Sequence, residues 1–189
     1  MTTPILSLQT ELVREFERDP RGAHVARLLS TYVAAQADWR RFALFQSETY
    51  ARNLVGRNEH FEMLILCWNE KQASPIHNHA GQNCWMAVLE GTIEETLFSP
   101  PIDGGAGPLS PRNTKRYPTG SVAFINDDIA LHRVGPAAGG RGISLHLYSK
   151  PIDVCNVYDE ATGRVVESTL VYHSIEGVVA SRAGAMARH

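Results

Sequence analysis

The chain has very little cysteine. Cys67, Cys84 and Cys155 are its three cysteines in 189 residues, too few and of the wrong parity for a disulfide framework. A reducing compartment, the cytoplasm, is the natural expectation, and there a cysteine near histidines serves chemistry or packing. Long apolar runs are also missing, so no segment approaches the length that spans a bilayer. The opening Met1-Thr-Thr-Pro-Ile-Leu-Ser carries neither the basic nor the apolar region of a secretory signal. Excess charge is absent: a formal net charge of -2 offers no electrostatic ground for a nucleic-acid partner or an anionic membrane. With no internal repeat and no linker-like stretch, the expectation is one domain over 1–189, long enough for a real core and working as a monomer.

What the chain does have is two kinds of apolar patterning. Leu8, Leu12, Val13 and Phe16 recur at helical spacing. Asp19-Pro-Arg-Gly22 breaks that run. Val25, Leu28, Leu29, Tyr32 and Val33 form a second stripe, and Trp39, Phe42 and Phe45 a shorter third piece. The residues 1–45 therefore read as a helical segment whose stripes pack on a sheet. From Tyr50 onward the period changes. Short runs of β-branched, aromatic and aliphatic residues, separated by Gly, Pro, Asn or Asp, predict strands near 50–55, 61–68, 75–79, 83–89, 92–98, 121–125, 130–134, 142–149, 153–158 and 164–172. Hairpin signals lie at Glu90-Gly91 and at Asp159-Glu-Ala-Thr-Gly163, with a further turn at Pro118-Thr-Gly120. The result is a mainly β class, a sandwich or small barrel over 46–175. The Pro- and Gly-rich stretch 99–112 reads as a surface loop or lid, and 176–189 as a mobile tail.

The chemistry centres on Ser74-Pro-Ile-His77-Asn-His79. Residues two apart on a strand share a face, so His77 and His79 can offer two imidazoles to one metal. A third ligand is needed, and Leu131-His132-Arg133-Val134 offers a candidate histidine on a later short strand. A set of three neutral imidazoles suits iron, zinc, copper or nickel, and zinc with three histidines and a water is one such site. Ser144-Leu-His146-Leu-Tyr148-Ser149 alternates strictly. Ser144, His146 and Tyr148 share one face, which looks either to water or, if the leucines meet a helix, into the barrel. In the second case serine orients histidine, and histidine holds the tyrosine hydroxyl in a hydrogen-bonded chain. Tyr50 and Arg52 likewise share a face, and an inward arginine would be a fork for a carboxylate.

A His-x-His on one strand with a lone histidine on a later one resembles the cupins, whose first motif usually adds a glutamate; this chain has Cys84 there. The resemblance sharpens with Tyr50-Ala-Arg52-Asn53, Leu66-Cys67-Trp68, Ile76-His77-Asn-His79, Glu94-Glu95-Thr96-Leu97-Phe98, Leu131-His132-Arg133-Val134, Ser144-Leu-His146-Leu-Tyr148 and Cys155 in that order. Taken together these resemble the cysteine dioxygenases. That resemblance implies a cupin-type β-barrel or jelly roll with a helical N-terminal segment. It also implies Fe(II) held by His77, His79 and His132, and L-cysteine and O2 as substrates. It makes Arg52, helped by Tyr50, the clamp for the substrate carboxylate, and Tyr148 an active-site tyrosine ordered by His146 and Ser144. Cys84 matches a cysteine that in some members is joined to the tyrosine by a thioether. Cys155 reads as a small buried residue near the pocket and Cys67 as core. His24, His60, His173 and His189 read as structural. Two other readings stand beside this one: a relative acting on 3-mercaptopropionate, which usually carries glutamine where Arg52 stands, and a non-catalytic metal-binding cupin or sensor.

Overall fold

The structure is a computed structural model and describes residues 3–100 and 107–180. It opens with α1 (Pro4–Arg18), α2 (Val25–Ala35) and a short 3-10 turn (Asp38–Phe42). Proline stands in the first turn of α1, where no amide hydrogen is needed. Ile5, Leu8, Leu12 and Phe16 fall on one buried stripe of this helix. Asp38 ties the segment together. Its carboxylate accepts from the Ile5 amide at 2.9 Å and from the Tyr32 hydroxyl at 2.7 Å, serving one of the orphan donors at the start of α1.

Among the described residues twelve strands come next: β1 (Ala51–Arg57), β2 (Glu62–Trp68), β3 (Ile76–His77), β4 (Cys84–Phe98), β5 (Pro111–Pro118), β6 (Val122–Ile125), β7 (Leu131–Pro136), β8 (Gly142–Tyr148), β9 (Val154–Tyr158), β10 (Val165–Thr169), β11 (Ser174–Ile175) and β12 (Val178–Val179). They form a jelly-roll sandwich with an open path, β10-β9-β3-β7-β4-β8-β2-β1-β11-β12, with β5 and β6 also on β4. The mainly β class with a helical N-terminal segment is as expected; the barrel does not close.

β4 joins the two layers. Its first half pairs with β8 and β6, its second with β7 and β5. The sequence predicted a hairpin at Glu90-Gly91, and the structure corrects this. The strand runs straight through, with a register shift between Val88 and Glu90 and Gly91 at φ +80°. A side chain at Gly91 would meet the Arg141 carbonyl at 2.3 Å. The glycine therefore permits a bulge that re-aims one strand into a second sheet, where a turn signal read in isolation suggests reversal. β5 is a second departure. It overlaps the end of the predicted 99–112 loop, is polar and exposed along nearly its whole length, and carries no apolar alternation to mark it; of that loop, 101–106 lie outside the described residues. The tail reading also changes: Glu176 and Gly177, both at positive φ, turn β11 back on β12, while 181–189 lie outside the described residues.

Two apolar layers result. The outer face of the sheet formed by β1, β2, β8 and the first half of β4 presents Val55, Met63, Ile65, Trp85, Leu145 and Leu147 to the helices. Its inner face presents Leu54, Leu64, Leu66 and Met86, which share a cluster with Val134 and Cys155 of the opposite layer. β2 is buried on both faces and so reads as an unbroken apolar run. Because the helices claim Leu145 and Leu147, the alternate residues Ser144, His146 and Tyr148 turn into the sandwich.

Candidate metal centre

Three imidazoles meet in that interior. His77 on β3 pairs directly with His132 on β7. Their Nε2 atoms lie 3.2 Å apart, and the His79 Nε2 is 3.1 Å from that of His132. All three ligand atoms lie within 4.8 Å of one another. Two imidazole nitrogens at about 2.0–2.1 Å from one ion, near right angles, would stand roughly 3 Å apart, so the cluster fits a metal. The expectation of a shared strand needs correcting: β3 ends at His77. His79 lies beyond it, where Asp127 accepts from its amide at 2.6 Å and from the Gly81 amide at 2.7 Å. A carboxylate on a turn, and not strand pleat, aims the second ring.

Every ring has an acceptor on its far nitrogen. His77 Nδ1 faces the Pro75 carbonyl at 3.0 Å, His79 Nδ1 faces Asp127 Oδ1 at 3.3 Å, and His132 Nδ1 faces Glu95 Oε1 at 2.7 Å. An Nδ1–H committed to an acceptor leaves the Nε2 lone pair for a metal. Burial pushes His77 down to about 3, with His79 adding to the shift, and pushes His132 well below the usual histidine range. Both rings are thus neutral, the form a ligand needs. Glu95 is itself steadied by the Tyr117 hydroxyl at 3.0 Å, while burial holds its carboxyl above the usual range. Burial alone would raise Asp127 as well, but hydrogen bonds from His79 and Gly81 outweigh it and hold the carboxyl low. Sequence reasoning gives neither acid a role. Glu95 is marked by an acid at the inward phase between Ile93 and Leu97, and Asp127 by its place just ahead of the strand that bears His132.

A Glu95→Gln variant should keep its fold and lose about 10- to 100-fold in metal affinity, the usual cost of removing a partner behind a ligating histidine. Metal titration against a competing chelator reads this directly, and an unchanged affinity would remove Glu95 from the site.

The cluster opens onto a cavity of about 370 Å³ that Tyr50, Arg52, Tyr148 and Cys155 also line. Arg52 is buried on the inner face of β1 at 8% exposure. Its Nε and one terminal nitrogen have no hydrogen-bond partner. Burial works against its charge, yet the Tyr148 and Tyr50 phenols and Glu62 outweigh that and keep it a cation. Tyr50 is stacked on Trp68, with ring centroids 4.5 Å apart. Trp68 Nε1 donates to Ser144 Oγ at 2.9 Å, and Ser144 Oγ lies 3.0 Å from His146 Nε2. With the indole donating to it, the serine has its own hydrogen available for His146, which burial and Arg52 push down to about 3.

The tyrosine ends up differently placed from the expected chain. Among the described residues no hydrogen bond joins His146 to Tyr148, whose ring centroids are 6.4 Å apart. His146 Nδ1 instead faces Cys84 Sγ at 4.0 Å. Cys84 and Tyr148 stand directly opposite on β4 and β8. Burial pushes the Cys84 thiol and the Tyr148 phenol upward, so both are protonated. Cys155 is buried and lines the cavity, whereas Cys67 lies in the helix-facing core. His173, which the sequence alone reads as structural, also lines the cavity, its amide donating to the Arg52 carbonyl at 2.7 Å.

Comparison with known proteins agrees in extent. Cysteine dioxygenase type 1 of Rattus norvegicus is 36% identical over 156 residues, 82% of this chain and 78% of its own. That of Danio rerio is 38% identical over 141 residues, 74% and 70% of the two chains. A protein with a double-stranded β-helix domain from Klebsiella pneumoniae is similar over 71% of this chain and 96% of its own, with a TM-score of 0.49 and 10% identity. The family model described as Cysteine dioxygenase type I matches residues 3–161. Spanning as it does the helical segment, both sheets and all three clustered histidines, that match makes this chain a member of the cysteine dioxygenase type I family.

Proposed function

We propose that the protein is a non-haem Fe(II) dioxygenase that oxidises L-cysteine to cysteine sulfinate with O2. One observation carries the reading: a buried arginine with unpartnered donors lines the same small cavity as His77 and His79, two of the three converging imidazoles. Buried guanidinium donors left without hydrogen-bond partners are costly unless a ligand completes them. Fe(II), held by His77, His79 and His132, supplies the oxygen chemistry that no side chain here can perform.

The chain supplies position and charge. Arg52 grips the substrate carboxylate through its two free donors, and its place on β1 sets which end of the molecule points toward the histidines. With the three neutral imidazoles of His77, His79 and His132 as ligands, a bound ion would keep its full charge and would favour a thiolate over a thiol. Tyr148 stays protonated and so donates a hydrogen bond into the cavity. The Trp68–Ser144–His146 chain keeps a neutral imidazole beside Cys84 and Tyr148. Ile152, Val157 and Leu170 line the cavity with apolar surface and limit water at the reacting sulfur. Arg52 favours cysteine over 3-mercaptopropionate. Low cysteine content supports a cytoplasmic setting, and the near-neutral charge gives no ground for a nucleic-acid partner; among the described residues no helix is long and apolar enough to cross a membrane.

The test is oxygen uptake by anaerobically Fe(II)-loaded protein given L-cysteine, with the product identified by mass. Gain of both atoms of one O2 per product is expected, with a higher specificity constant for cysteine than for 3-mercaptopropionate. Cysteine binding without uptake would turn the reading to a binding module.

The opposed Cys84 and Tyr148 carry a further expectation. A thioether forms a C–S bond between the thiol sulfur and the phenol ring, with loss of the S–H and one ring hydrogen to O2 as oxidant. The intact mass after turnover should fall by two hydrogens, and the shift should vanish in Cys84→Ala. Full recovery of an unmodified Tyr148 peptide would rule the bond out.

A further inference from the structure

The cavity has a wall that neither the histidines nor the strands build. Ile152 belongs to the irregular stretch after β8, and Leu170, Tyr172 and His173 to the one after β10; all line the cavity. Irregular backbone is ordinarily the loosest part of such a wall. Here both stretches are tied to one buried carboxylate. Glu62, at the start of β2, is 0% exposed. One of its oxygens accepts from the Ile152 amide at 3.3 Å, the other from the Tyr172 hydroxyl. Arg57 pairs across from Glu62 in the β1–β2 register. It donates to the Tyr172 oxygen at 2.9 Å and to both oxygens of Asp153, at 2.7 and 2.9 Å. The β1–β2 pair thus holds both irregular stretches by charge-assisted bonds. The family match ends at residue 161, ahead of the second stretch, so this part of the wall is not shared through that match.

We propose that Glu62, Arg57, Asp153 and Tyr172 form a latch that fixes the irregular wall of the cavity and thereby limits the size of the thiol admitted. Glu62 and Tyr172 are positioning residues; because Glu62 also bears on the charge of Arg52, Tyr172→Phe is the variant that tests the wall by itself. The proposal deepens the cysteine-oxidising reading above and rests on it for its substrate. A rigid wall discriminates against one additional methylene by roughly 10- to 200-fold; a loose one gives way. Homocysteine, longer than cysteine by one methylene with the same carboxylate, amine and thiol, is the matched probe.

The experiment compares cysteine and homocysteine oxidation by the Fe(II)-loaded wild type, Tyr172→Phe and Glu62→Gln, with hydrogen exchange measured on each. Tyr172→Phe keeps the ring and removes only the bonds. In it the cysteine-to-homocysteine ratio of kcat/KM should fall at least about tenfold, since two bonds to charged groups, one to Glu62 and one from Arg57, are lost. The change should appear in KM and not in kcat, with faster exchange confined to 149–153 and 170–173. Glu62→Gln retains an acceptor and should lie between this variant and the wild type. An unchanged ratio overturns the latch, as does a loss shared equally by both thiols. If the wild type oxidises neither thiol, the dioxygenase reading fails and exchange alone decides: unaltered protection of 170–173 in Tyr172→Phe overturns the latch.

Discussion

Replacing His132 with alanine should strip the protein of its metal and abolish turnover. His132 is the hub of the cluster, within 3.2 Å of His77 and 3.1 Å of His79 through the same nitrogen. Without it two nitrogens remain, one on a strand end and one on a turn. Loss of a ligand should lower metal affinity by well over the 10- to 100-fold expected for a supporting residue, and oxygen uptake should fall below about 1% of wild type, a barrier increase of at least ~2.7 kcal/mol. The fold should survive at some cost. Glu95 would keep Tyr117 but lose its buried imidazole partner, a penalty of roughly 1–3 kcal/mol. Metal content after dialysis, oxygen uptake and a urea unfolding curve separate the effects. Retention of metal at wild-type affinity would place the ligand set elsewhere.

Arg52→Ala should act on the substrate and leave the metal in place. Arg52 is on β1, outside the histidine cluster, and its free donors are suited to a carboxylate. Truncating one side of a buried charged pair costs about 2–5 kcal/mol, so KM for cysteine should rise about 100-fold or more, with metal content unchanged. The stability effect should have the opposite sign to that of most buried truncations. The wild type carries unsatisfied buried donors in the absence of substrate, and removing them relieves that cost against the packing lost, so the melting temperature should not fall. An emptied metal site, or an unaltered KM, would contradict this role. Together the two variants separate holding the ion from holding the substrate.

Much of this was legible from residue type and order. His77 and His79 stood out because two imidazoles one residue apart have few structural reasons to gather, and His132 joined them through the family resemblance; the structure brings all three together. Arg52 and Tyr148 were singled out by strand alternation, but a lone arginine or a polar alternation usually faces water, and only the order of several short matches gave them roles. Glu90-Gly91 misled because a positive-φ glycine serves a bulge as readily as a hairpin, and the choice depends on partners distant in the chain. β5 gave no signal because nearly all its residues are exposed and polar, and it is held to β4 by its backbone ladder and by polar side-chain bonds such as Arg116 to Glu94 and Tyr117 to Glu95.

The sequence alone determined the helical start, the β-rich remainder, the three-imidazole set and the family. The first two rest on local period, and the histidine set and the family on the order of several short motifs along the chain; none of these depends on the rest of the fold. Only the tertiary structure decided which way the β8 alternation faces. The helices bury Leu145 and Leu147, and strand geometry then forces Ser144, His146 and Tyr148 inward. It also decided that Asp127 and Glu95 set the rings, that His146 meets Cys84 and not the tyrosine hydroxyl, and that Glu62 gathers Ile152 and Tyr172 across 90 and 110 residues of chain. Each of these is a contact between segments remote in sequence, and neither local propensity nor spacing encodes such contacts.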